Sequence, residues 1–137
     1  MATLHLQIVT PEAKILDTDA DFVLIPAAEG DMGIFPQHET TVTEIRAGEL
    51  QITRGGKIEI MAVGDGFAEI RPDSVAILTD GAVFEKDIDE RRAEEAVKRA
   101  EELLKSNTLE GEELEATQAS LARSLAQVKV KRRRHGN

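Results

Sequence analysis

The chain has 137 residues, 41% of them hydrophobic, enough for one ordinary domain or a small one with an appendage. With no Trp, no Tyr and 4 Phe the core must be aliphatic, and with no Cys neither a disulfide framework nor a thiolate zinc site can form. The formal charge of -9 argues against a general nucleic-acid binder, which needs a basic surface.

The first segment, Thr3 to Val9, alternates strictly, with Leu4, Leu6 and Ile8 on one side, the pattern of a half-buried strand. Pro11 and Glu12 turn the chain, and Ala13–Asp17 and Asp21–Pro26 read as further short strands. The stretch from Ala28 to Glu39 reads as a loop, with Gly30, Gly33 and Pro36 as punctuation around a packed Phe35. Val42–Ile45, Glu49–Thr53 and Lys57–Val63 follow, the last two joined by the hairpin turn Arg54-Gly55-Gly56. Gly64 and Gly66 flank Asp65 before Phe67–Arg71, and Pro72-Asp73 turns the chain into Val75–Leu78. About ten short strands with a break every several residues predict an all-β sandwich or barrel.

Between Val83 and Lys86 the character changes. Beyond it there is no Pro, and apolar residues recur at a helical period. Asp87 stands where an N-cap is wanted, with Glu90 three residues on. One helix is expected from about Ile88 to Lys105, with Ala93, Val97, Ala100 and Leu104 as its apolar stripe. Ser106-Asn107-Thr108 breaks it, and a second helix is expected from about Glu112 to Arg132, with Leu114, Leu121, Leu125 and Val128 on one side. The many alanines favour close approach in an antiparallel hairpin. An Ala-rich seam buries little apolar area, so the hairpin should open at modest free energy.

Charge is distributed unevenly along the chain. Residues 1–84 carry 14 acids against 5 Lys/Arg, and residues 85–115 carry 12 against 6. Residues 116–137 carry 6 bases and no acid, which suits docking on an acidic protein surface. No run approaches the roughly 18 apolar residues of a membrane span. The N-terminus also lacks the basic-then-apolar order of a secretory signal, so the expectation is a soluble intracellular protein.

Candidate sites are few. The Gly30–His38 stretch lacks the Lys-Ser/Thr pair of a phosphate-binding P-loop. His38 has no Ser/His/Asp partner at a recognisable offset, and His5, His38 and His135 share no metal-ligand spacing. The first helix opens with Asp89, Arg91 and Arg92, more charge than a cap requires. Guanidinium forks at the positive end of a helix dipole suit phosphate, which makes this a candidate nucleotide site.

Three segments carry a family resemblance. Gly30–His38 (GDMGIFPQH) is similar to a Gly-x-x-Gly-hydrophobic-x-Pro-x-His signature, and Gly64–Leu78 to a second conserved pattern of strands. Ile88–Ala93 (IDERRA) matches an Ile/Leu-Asp-x-x-Arg-Ala motif. In this order and spacing the chain resembles the epsilon subunits of bacterial F-type ATP synthases. It departs from the usual pattern at Glu39-Thr40, where Ala-Pro is common, and at Val83, where some ATP-binding members have an acid.

The resemblance implies a fold of an N-terminal β-sandwich, residues 1–84, followed by a C-terminal two-helix regulatory arm, residues 85–137. It implies a non-catalytic rotor role with no metal and no required cofactor. The sandwich would hold the gamma subunit and rest on the membrane ring of c subunits, with Glu29, Asp31, Met32 and His38 at stalk or rotor contacts. The arm would inhibit ATP hydrolysis by extending toward the catalytic α/β ring, presenting Arg123, Lys129, Lys131, Arg132, Arg133 and Arg134. ATP would be a regulatory ligand at Ile88, Asp89, Arg92, Ala93, Arg99 and Arg123. Nucleic acid and direct membrane insertion are not expected, and the implied location is peripheral, on the cytoplasmic face of a bacterial inner membrane. The alternative is a free-standing nucleotide-sensing module with a helical lid.

Overall fold

Strand alternation decides which side chains face inward, and the inward set is almost purely aliphatic. In the computed structural model, which describes residues 2–135 and the side chains of residues 2–133, the first ten elements are strands. They are β1 (Leu4–Val9), β2 (Lys14–Ala20), β3 (Phe22–Ala27), β4 (Gly30–Ile34), β5 (Thr41–Ile45), β6 (Gly48–Arg54), β7 (Lys57–Val63), β8 (Gly66–Arg71), β9 (Ser74–Thr79) and β10 (Ala82–Phe84). They pair in the order β10-β7-β6-β3-β5-β8-β9-β1-β2, with β4 added on β3. All pairs are antiparallel except β1 with β9. The path curls back on itself, so that Arg54 of β6 donates to the Thr18 hydroxyl of β2 at 2.8 Å. The two layers enclose Leu4, Leu6, Ile8, Val23, Ile25, Ile34, Ile45, Leu50, Ile52, Met61, Ile70 and Ile77, each completely or almost completely buried.

Two local expectations are corrected. The segment read as a loop contains β4, which pairs with β3 from Val23↔Ile34 to Ala27↔Gly30. Gly33 is part of that strand because Phe22 lies over it, and a Cβ would sit 2.9 Å from the ring. The tip of this hairpin does need a glycine, since Gly30 has φ 127. Phe35 is not packed in the core. It is 65% exposed and lies against the Phe22 ring, with centroids 4.5 Å apart.

A short 3-10 turn, Glu85–Asp87, leads to α1 (Glu90–Lys105) and α2 (Gly111–His135). The N-cap of α1 is Asp89 rather than Asp87; its carboxylate accepts from the Arg92 backbone N–H at 3.2 Å. Asp87 is taken up in the 3-10 turn, which places the helix start two residues later. The helices form a hairpin whose buried side chains are small: Ala93 and Ala100 on α1, Ser124, Ala126, Val128 and Val130 on α2.

Candidate functional site

The hairpin lies folded against the sandwich, and the last turns of α2 rest on the outer side of β6 and β7. Val130, 2% exposed, fills a small apolar site made by Ala62, Ile88, Ile60 and Val83. Arg123, Ala126 and Val130 recur at three- and four-residue steps, so one stripe of α2 faces the sandwich. Ser124, Val128 and Arg132 form the neighbouring row, and Arg132 identifies it as the side toward α1. Leu125 is not a seam residue; it stands at the edge of the groove between arm and sandwich, 37% exposed.

Acidic partners meet the basic end of α2 at every turn. Arg123 Nη1 is 3.1 Å from Asp80 Oδ2. Lys131 Nζ donates to the Glu85 carbonyl at 3.0 Å and lies 3.4 Å from its carboxylate. Arg132 forks between Glu90 and Glu94 of α1, at 3.1 Å to each. Arg133 reaches Glu49 at 3.4 Å. Hydrogen bonding from Arg132 holds the Glu94 carboxyl below its usual range, and the two glutamates raise Arg132 in turn. At Asp80 the balance is reversed: burial pushes its carboxyl up, against the pull of Arg123. Lys129 is exposed and, among the described residues, forms no ion pair. The Arg134 side chain lies outside the described residues.

The residues of the nucleotide motif are not gathered into one cavity. Ile88 and Ala93 are buried packing residues, Ile88 beneath Val130. The Asp89 carboxylate caps α1. Arg92 and Arg99 are exposed and, among the described residues, make no side-chain ion pair. Arg99 borders a groove across the hairpin with Ala96, Leu103, Thr117 and Ser120. Arg123 is held away from them by Asp80.

The four rotor-contact residues also separate. Glu29 and Asp31 are exposed at the tip of the β3–β4 hairpin, and Asp31 borders the groove under α2. Met32 is half-buried against the core. His38 lies beyond the other end of β4, its Nδ1 2.8 Å from the Glu39 carbonyl. Five residues of strand, about 17 Å at roughly 3.4 Å each, separate the two ends.

One surface has no counterpart among the sequence expectations. Val42 on β5, Phe67 on β8 and Leu78 on β9 are 68%, 57% and 51% exposed on the outer side of adjacent strands. Their signal in the sequence is phase: Phe67 precedes the buried Ala68 and Ile70 at odd spacing from both, and Leu78 falls between the buried Ile77 and Thr79. Exposed apolar side chains gathered on one side of adjacent strands form a candidate protein-contact surface.

Two family models match the chain. One, described as ATP synthase, Delta/Epsilon chain, beta-sandwich domain, covers residues 3–85, and the other, the long alpha-helix domain of the same chain, covers residues 86–132. An ATP synthase epsilon chain of Dehalococcoides mccartyi is 41% identical over 137 residues, covering 98% of each chain. The one from Halalkalibacterium halodurans is 36% identical over 130 residues, covering 95% of this chain and 98% of the relative. Among solved structures, a chain of the Euglena gracilis mitochondrial ATP synthase (OSCP/F1/c-ring) superposes with a TM-score of 0.71 at 26% identity, covering 92% of this chain and 79% of that one. A chain of the Tetrahymena thermophila mitochondrial ATP synthase (central stalk/c-ring) shares the fold, with a TM-score of 0.58 at 14% identity, covering 96% and 95%.

Proposed function

The chain belongs to the ATP synthase delta/epsilon family, and on that premise we propose that it is an epsilon subunit, a non-catalytic part of the central stalk that restrains ATP hydrolysis through its arm. The observation that carries this reading is the state of the basic end. Arg123, Lys131, Arg132 and Arg133 are all engaged by acids of the same chain while the arm lies on the sandwich. The pairs of Arg132 and Arg133 each have an arginine more than half exposed, and exposed ion pairs contribute only about 0–1 kcal/mol each. The same cations are therefore exchangeable for another acidic surface, such as one on the catalytic α/β ring.

Residues 1–84 serve as the stalk-binding unit and residues 85–137 as the arm. The apolar patch of Val42, Phe67 and Leu78 is the surface we assign to the gamma subunit, since burial against a partner removes it from water. The exposed hairpin tip at Glu29 and Asp31 remains available to the ring of c subunits. No helix among the described residues is long and apolar enough to cross a membrane, and the association is peripheral, at the cytoplasmic face of a bacterial inner membrane. ATP acts as a regulatory ligand held on α1 by Asp89, Arg92 and Arg99. Support for that site is the motif, together with two guanidiniums unpaired among the described residues on one side of the helix. The test of the brake is deletion of residues 116–137 in an assembled ATP synthase. Hydrolysis should rise while synthesis is retained; unchanged hydrolysis across a range of ATP concentrations refutes the assignment.

A further inference from the structure

Gly64 and Gly81 stand side by side where α2 crosses the sandwich, joined by a hydrogen bond from the Gly64 N–H to the Gly81 carbonyl at 2.8 Å. The buried Thr79 hydroxyl, 2.9 Å from the Gly64 carbonyl, fixes the same turn. Neither glycine has the left-handed φ found at Gly30, Gly55, Gly56 and Gly111, so backbone conformation does not explain them. Space does. A Cβ on Gly64 would overlap Asp80 Oδ1 and lie 2.8 Å from Arg123 Cγ. A Cβ on Gly81 would lie 2.8 Å from Arg123 Cδ, and its three nearest atoms all belong to Arg123. At Gly81, then, the atoms that a Cβ would meet first belong to a side chain of the arm.

We propose that Gly64 and Gly81 are a seat for the Arg123 side chain, and that this seat, closed by Asp80, is the latch holding the arm on the sandwich. The aliphatic part of Arg123 lies across the two glycines while its guanidinium reaches Asp80 Oδ2. Seven residues, two helical turns or about 10 Å, separate it from the Val130 contact on the same side of α2. Two anchors at this spacing fix both position and rotation of the helix, which one anchor would not. Asp80 sits in the seat with its Oδ1 shielded from solvent and without a hydrogen-bond partner among the described residues, and burial has raised its carboxyl. Removing Arg123 would leave that carboxylate desolvated and uncompensated, whereas removing the Asp80 charge leaves an arginine able to turn to water. The latch is therefore asymmetric: loss of Arg123 must open the arm more than neutralisation of Asp80.

This inference rests on the arm being detachable, and its test is separate from any measurement of ATP hydrolysis. The chain has no Cys, so Ala62→Cys, placed under Val130 at a position 3% exposed, reports opening of the arm by its rate of reaction with a thiol reagent. On that background Arg123→Ala and Gly81→Ala should each accelerate labelling about tenfold, the size expected for losing a charge-assisted hydrogen bond. The double variant should label about as fast as Arg123→Ala alone, since an alanine at 81 has nothing to meet once Arg123 is gone. Asp80→Asn should give a smaller acceleration than Arg123→Ala. A labelling rate within twofold of the parent for Arg123→Ala overturns the latch, and so do independent, multiplying effects of Gly81→Ala and Arg123→Ala. Faster labelling in these variants without a rise in hydrolysis by the assembled enzyme would uphold the latch and refute the brake.

Discussion

Replacing Val130 by Ala tests how much of arm docking is apolar. Val130 is 2% exposed among Ala62, Ile88, Ile60 and Val83. The substitution removes two carbon groups from that site, at about 0.8 kcal/mol each, or roughly 1.6 kcal/mol. Because the released arm leaves residue 130 in water in both variants, nearly all of this difference falls on the docking equilibrium. The ratio of released to docked arm should rise about 15-fold, since each 1.4 kcal/mol is a factor of ten. Labelling of Ala62→Cys reads this ratio directly when reclosing outpaces reaction. Leu103→Ala on α1, 49% exposed, is the control and should change the rate less than twofold. Equal labelling in the parent and Val130→Ala would mean that the site beneath Val130 opens without the arm leaving. The reasoning from burial would then fail, whatever the melting temperature.

Residues 1–84 contain all sixteen side chains of the main core, so a fragment ending at Phe84 should unfold cooperatively in urea; a non-cooperative transition would refute the division at this point. Arg92→Ala should weaken ATP binding on the order of tenfold by removing a charge-assisted phosphate contact. Arg91→Ala, whose guanidinium lies 3.4 Å from Glu95, should leave it unchanged, and calorimetric titration giving equal affinities would remove Arg92 from the site. Glu94 titrates below its ordinary value because of Arg132. Its contribution to docking is thus complete above the ordinary glutamate range and lost as the pH falls through the depressed value. Glu94→Gln should therefore flatten the acid rise in labelling; an unaltered pH profile would contradict the assignment.

Most of the β half was legible from period-two alternation, because burying one side of a strand leaves a residue-by-residue mark. Leu4, Leu6 and Ile8 illustrate it, and so do Ile70, Val75 and Ile77. β4 escaped because Gly30, Asp31 and Gly33 carry no such mark: the strand is held by its ladder to β3 and by Phe22 covering Gly33. β10 escaped because three residues are too few to show a period. The α1 start slipped from Asp87 to Asp89 since either aspartate satisfies a cap, and the 3-10 turn before it decides between them.

The two-unit organisation, the basic acid-free end and the motif on the first helix were determined by the sequence alone, because composition, charge and short-range spacing are properties of a linear chain. Where that basic end goes was not. Its partners Glu49, Asp80, Glu85, Glu90 and Glu94 are scattered over 46 positions of an acid-rich chain with no period to single them out. Only the packing of α2 on α1 and on the sandwich selects them. The same packing shows what stands over the two glycines: Arg123 over Gly81, and Asp80 with Arg123 over Gly64, an approach from a distant helix that no local pattern records.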